Sequence, residues 1–156
     1  MEGKPMKLKP LKQWICDSCG GLISKPEDGW WEFLHDDTHR VYGFRIVHYN
    51  PKCYYPTGDK HITVGDLPLK NMINSGGFGH MLHWLELTQT GKMKEHIDIS
   101  DFTEIMRRLY LPYWEEARQY WEQSFRDGFH DKCCFSKEDL THIIDEYSKP
   151  DNGGTT

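Results

Sequence analysis

The spacing of apolar residues changes near the middle of this chain. Between residues 14 and 64, aromatic and β-branched residues alternate with polar ones, the two-residue period of half-buried strands. From Gly65 onward they recur every three or four residues, as on one face of a helix. In the first half, Trp30 to Leu34 and Val41 to His48 predict the strands of a β-hairpin, with the polar run His35 to Arg40 as its loop. Leu22-Ile23 predicts a shorter strand, and Lys25-Pro26-Glu27-Asp28-Gly29 a turn, because proline presets φ and Asp-Gly favours reversal. Strict alternation in the second strand places Tyr42, Phe44, Ile46 and His48 on one face, turning His48 toward large apolar residues.

In the second half, Asp66-Leu67-Pro68 is a helix-start signal, and Ser75-Gly76-Gly77-Phe78-Gly79 predicts a stop and a joint. A short helix over His80 to Thr88 follows, with Met81, Leu82, Trp84 and Leu85 toward the core, and His96 to Ile99 predicts a short strand. Ser100 is the expected cap of a helix carrying Phe102, Ile105, Met106, Leu109 and Tyr110, which Pro112 must interrupt. Tyr113, Trp114, Ala117, Tyr120, Trp121 and Phe125 then form an aromatic stripe, with Glu115, Glu116, Arg118, Gln119, Glu122 and Gln123 opposite. Ser136 with Asp139 three residues later opens a last helix with Leu140, Ile143, Ile144 and Tyr147 inward. The expected architecture is α+β: a zinc-bound β-hairpin module over about 14–64, packed on a helical module of four to five helices over about 65–148. Residues 1–13 are expected as a flexible arm and 149–156 as a disordered tail. The aromatic stripe of 113–125 is the expected cover for the hairpin, since an isolated two-stranded hairpin is marginal in water.

The two ends of the hairpin segment carry the chemistry. Cys16-Asp-Ser-Cys19 can clasp one tetrahedral ion from a tight turn, which Gly20-Gly21 suits, and His48-Tyr-Asn-Pro-Lys-Cys53 supplies two more ligands from a strand end. Folding the hairpin brings the pairs together, so Cys16, Cys19, His48 and Cys53 read as one structural zinc site. The segment from about 14 to 55 resembles a zinc ribbon or zinc knuckle with a Cys-Cys-His-Cys ligand set. Zinc ribbons more often end in a second Cys-x-x-Cys, and retroviral-type knuckles have a far shorter middle. His48-Tyr49-Asn50-Pro51 also bears a likeness to the His-Asn-His endonuclease motif, although binding zinc would remove His48 as a base.

Other constellations have plainer readings. His130 with Cys133 and Cys134 has the makings of a second metal half-site, but cysteine is commonly buried for packing and no fourth ligand is evident. His80 and His83 lie three apart on one helix; Arg107, Arg108, Arg118 and Arg126, interspersed with Glu104, Glu115, Glu116 and Glu122, read as a salt-bridged solvent face. The glycine run of 75–79 lacks the lysine of a phosphate loop.

Composition narrows the function. With 156 residues the chain suffices for one domain with a real core; net charge of −5 provides no global field for nucleic acid or an anionic membrane. No apolar run is long enough to span a bilayer, the N-terminal lysines lack the hydrophobic stretch of a signal peptide, and five cysteines fit a reducing compartment, so the chain reads as cytoplasmic. The favoured function is a non-enzymatic interaction or regulatory protein whose partner is another protein. Behind it stands a nucleic-acid-binding zinc protein using Trp30, Trp31, Tyr54 and Tyr55, and behind that a thiol- or metal-dependent enzyme.

Overall fold

Two short strands, β1 (Trp14–Ile15) and β2 (Leu22–Ile23), pair antiparallel, with Trp14 opposite Ile23, and form a ribbon around the first cysteine pair. The structure is a computed structural model that describes residues 5–56, 58–128 and 135–149. Beyond the ribbon, β3 (Gly29–Asp36), β4 (Arg40–His48), β5 (Ile62–Pro68) and β6 (His96–Ile97) form one sheet in the order β5-β3-β4-β6. The fold is α+β, with the expected hairpin and the Cys/His cluster at its end.

The register of β3 and β4 corrects the assumed alternation. Trp31 lies opposite Ile46 and Glu32 opposite Arg45, but Leu34 lies opposite Tyr42, because one extra residue enters β4 at a bulge. Gly43 sits there at φ +65°, and a Cβ on it would stand 2.8 Å from the Tyr55 hydroxyl oxygen. Tyr42 and Phe44 therefore emerge on opposite faces. Phe44 joins Trp31 and Phe33 on the apolar face, whereas Tyr42 lies under the Arg40 guanidinium.

β5 is a strand where the sequence pattern predicts the approach to a helix. It pairs with β3 along its whole length, Ile62 opposite Asp36 and Pro68 opposite Trp30. Gly65, where the sequence pattern turns helical, has the Phe33 ring lying where a side chain would be, and Pro68 is tolerated at the end of an edge strand. After one turn of helix, α1 (Leu69–Met72), comes α2 (Ser75–Gln89). The glycine run thus begins a helix instead of separating two: the Asn74 side chain accepts the Gly77 amide at 3.0 Å and caps it. Leu82, expected inward, is exposed. In α3 (Ile99–Tyr110) Phe102, Ile105 and Leu109 are buried as expected, but Asp98 and not Ser100 is the cap. Among the described residues no helix is long and apolar enough to cross a membrane.

The sheet's apolar face is covered by α2 and α3, not by the 113–125 stripe. Trp84 stands edge-on to Trp31 and Phe44, with ring centroids 6.2 and 5.9 Å apart, and Phe102 stands edge-on to Phe44 at 5.6 Å. Pro112 is what redirects the stripe. Leu111 before it is extended and Tyr113 after it takes φ +70°, so the chain leaves α3 at an angle and continues as α4 (Trp114–Ala117), a 3-10 turn (Arg118–Tyr120) and α5 (Trp121–Arg126). With α6 (Lys137–Tyr147), opened by the predicted Ser136/Asp139 capping box, these form a second apolar cluster of Trp114, Ala117, Tyr120, Leu140 and Ile143. Trp121 is half-buried edge-on to Trp114, and Phe125, expected inside, is 61% exposed. At the start of the described chain Leu8 is buried, and Met6 exchanges two backbone hydrogen bonds with the Gln119 side chain.

The same redirection buries Glu116, which is 5% exposed and has one carboxylate oxygen without a hydrogen-bond partner among the described residues. Burial drives its pKa up from 4.5 to about 7, with a smaller contribution from the neighbouring Glu115. The folded state holds this proton more tightly than the unfolded chain, so stability falls as pH rises from 4.5 through 7. Glu116→Gln is expected to stabilise the protein by about 1–3 kcal/mol in urea unfolding at pH 8 and to change little below pH 4.5. A gain of equal size at both pH values would mean that charge is not its cause.

Candidate metal centre

Local geometry explains how four distant side chains meet. The Cys16–Cys19 turn is closed by the Gly20 amide on the Cys16 carbonyl, and the Cys16 amide on the Gly21 carbonyl, both at 2.9 Å. Gly20 takes φ +71°, and a Cβ on Gly21 would lie 3.2 Å from His48 Cε1 and 3.4 Å from Cys19 Sγ, so the turn needs both glycines. His48 ends β4 opposite Gly29, and the chain then turns at once: the Cys53 amide donates to the Asn50 carbonyl at 2.8 Å, which folds Cys53 back beside the imidazole.

The donor atoms of Cys16, Cys19, His48 and Cys53 all lie within 4.8 Å of one another. His48 Nδ1 is 3.3 Å from Cys19 Sγ and 3.9 Å from Cys53 Sγ. A tetrahedral ion with metal–sulfur bonds near 2.3 Å and a metal–nitrogen bond near 2.0 Å sets its donors roughly 3.5–3.8 Å apart, so side-chain movements of about an ångström would close the four donors onto one ion. The surroundings of His48 favour one tautomer. Its Nε2 faces the Leu22 carbonyl oxygen at 3.1 Å, and since a carbonyl only accepts, Nε2 carries the proton and the Nδ1 lone pair is turned to the sulfurs.

The sulfurs themselves call for a cation. Burial pushes the Cys53 thiol up to about 11, and negative charge on Cys16 adds to the shift. Burial also opposes ionisation of Cys19, but hydrogen bonds from Gly21, Cys16 and Cys53 outweigh it and lower its pKa. The His48 amide points at Cys16 Sγ at 3.4 Å, a donor for a thiolate. Three crowded thiols, one favoured as thiolate and one resisting ionisation, are what a bound dication would reconcile. These four residues can hold a metal ion.

A buried ionic network fixes the centre to the rest of the fold. Asp17, between the two cysteines, accepts the Ile46 amide at 2.8 Å and Arg108 Nη1 at 2.6 Å, while its own amide donates to the Ile46 carbonyl. Arg108 also grips the Glu115 carboxylate at 2.7 and 3.0 Å and the Ile15 carbonyl at 3.2 Å. Arg108 and Glu115 are each 3% exposed, and Arg118 adds weaker contacts to Asp17 and Glu104. The arginines and glutamates expected on a solvent face are thus partly internal, again because the chain turns at Pro112. On the other face of the sheet, buried Glu32 pairs with Arg45, whose guanidinium lies 3.4 Å from the Tyr55 ring centroid and donates to the Cys53 carbonyl at 3.0 Å. Neither network was foreseen from sequence; nothing in the spacing of Asp17, Arg108 and Glu115 connects them.

Of the remaining candidates, His80 and His83 are exposed on α2 and apart from the cluster, at the mouth of a cavity of about 420 Å³ lined by Trp31, Phe33, Trp84 and Leu87. The Asn50 side chain accepts the Lys52 amide at 3.1 Å. His130, Cys133 and Cys134 lie outside the described residues. Comparison with protein families, with curated proteins and with solved structures finds no match to this chain.

Replacing Arg108 by Met tests the network. It leaves the Glu115 and Asp17 carboxylates without their cation, and is expected to cost about 3–5 kcal/mol in denaturant unfolding, with partial recovery when Glu115→Gln is added. A single mutant of wild-type stability would mean that the ion pair is not a structural support.

Proposed function

We propose that the protein is a non-enzymatic interaction module completed by one structural zinc ion on Cys16, Cys19, His48 and Cys53. The observation that carries this reading is the orientation of His48, whose Nε2 faces the Leu22 carbonyl while Nδ1 faces the three sulfurs. Three thiolates and an imidazole make a soft, tetrahedral set suited to zinc, and four protein ligands leave no position for a water to be activated. The ion would therefore hold the ribbon to the end of the hairpin and leave chemistry to other molecules. The same orientation speaks against a His-Asn-His-type nuclease, in which His48 would have to be free as a base. Reduced thiols of this kind belong in the cytoplasm, where we place the protein.

A protein partner is favoured over nucleic acid. Of the four aromatic residues that would stack on bases, Trp31 is fully buried and Tyr55 is covered by Arg45, so two of the four are engaged inside the protein. The net charge of −5 would repel a phosphate backbone.

Elemental analysis of protein produced with adequate zinc is expected to show one zinc per chain. Cys16→Ser and Cys53→Ser are expected to lose it, and Cys134→Ser to keep it. Chelation at neutral pH should destabilise residues 14–55 before the helices, read as early hydrogen exchange in that segment. Zinc content near zero in the wild-type protein, or its loss in Cys134→Ser alone, would overturn the assignment.

A further inference from the structure

Beside the candidate metal centre, three aromatic rings meet at the surface, one from β3 and two from the loop that follows β4. Trp30 of β3 lies 4.8 Å from Tyr49 and 6.4 Å from Tyr54 between ring centroids, and the two tyrosines are 6.4 Å apart. Their planes differ by 30–43°, so the rings overlap like tiles and do not enclose a space. Tyr49, immediately after the ligand His48, is 63% exposed, and its amide is fixed to the Asp28 carbonyl at 2.8 Å. An exposed ring held in place by its backbone and backed by two others is a preformed contact surface with little side-chain entropy left to lose.

The charge around these rings is negative. A hollow of about 590 Å³ runs from Tyr49 along Glu27 and Asp28 to Cys19 and Cys53, and among the described residues Lys52 is the one lysine or arginine lining it. Lys25 reaches Asp28 at 3.7 Å, whereas Glu27 has no cation within salt-bridge reach among the described residues. With a dication in place, three thiolates still leave the metal centre one negative charge, which also faces the hollow.

We propose that the Trp30–Tyr49–Tyr54 surface docks a basic segment of a protein partner, an Arg or Lys side chain lying over the Tyr49 ring with its charge toward Glu27 and Asp28. The ring quadrupole and the carboxylates favour the same sign of charge, and guanidinium groups suit both a flat ring and a carboxylate. A phosphate backbone would meet these carboxylates and the thiolate charge together. This names the partner chemistry of the interaction module and rests on that reading.

Selection of a random-peptide display library on the zinc-loaded protein, followed by titration of a labelled selected peptide, tests it. Selected peptides are expected to be enriched in Arg and Lys, and Tyr49→Ala is expected to weaken their binding by about fivefold or more while zinc content and melting temperature stay at wild-type values. Glu27→Lys should weaken it as well. A selected set without basic enrichment, unchanged affinity in Tyr49→Ala, or tighter binding of a single-stranded oligonucleotide would overturn the proposal. If the protein carries its full zinc in any of those cases, the zinc reading stands and the partner inference alone fails.

Discussion

The guanidinium of Arg108 is the point on which the parts of this molecule converge. It is buried on α3, yet it bonds to the Cys16–Cys19 turn through Asp17, to β1 through the Ile15 carbonyl, and to α4 through Glu115. Two more bonds close the arrangement, from the Trp14 indole to the Arg108 carbonyl and from the Ile15 amide to Glu115. A charge taken this far out of water is tolerable only when its donors are matched. Since Arg108 and the groups that match it come from three stretches of chain, α3, the 15–17 segment and α4, these must all be in place together. The network therefore favours one arrangement of ribbon, sheet and helices over looser ones that would bury as much apolar surface.

This constraint connects the two apolar clusters. One lies between the sheet and α2 and α3, centred on Trp31, Phe102 and Leu109; the other lies among α4, α5 and α6, around Trp114 and Leu140. Arg108 sits on the helix that closes the first and Glu115 on the one that opens the second. The Trp114 indole, donating to Glu104 at 3.0 Å, makes a further bridge. Disturbing the metal centre would therefore reach the second cluster through Asp17 and Arg108, along bonds and not through general loosening.

The Cys/His cluster was legible in the sequence because its pattern is local at each end: Cys-x-x-Cys and His-x4-Cys are short enough to read, and a hairpin is the simplest way to join them. The stripes of α3 and α6 were legible for the same reason, each repeating within one helix. What escaped depended on distant partners. Gly65 marks the onset of the helical period in the sequence, and only the Phe33 ring packed against it shows why a strand runs through it; the bulge at Gly43 is invisible without the tyrosine that contacts it. The aromatic stripe of 113–125 was assigned to the hairpin because periodicity shows that a face is apolar, not which surface it meets. Pro112 signalled an interruption but not its direction, and that direction turned Glu115 and Glu116 inward.

The ligands are also arranged so that the hairpin lies inside the loop the ion would close. Two donors precede β3, and the other two stand at and just beyond the end of β4. Side chains alternate along a strand, so a slip of one residue between β3 and β4 would carry the imidazole to the opposite side of the sheet and bring Val47 or Tyr49 to its place. Only the pairing that sets His48 against Gly29, with the bulge at Gly43 accommodated, presents all four donors to one point. Coordination of an ion by these four side chains would thus act as a proofreader of strand register: a misaligned hairpin could collapse, but it could not capture the ion.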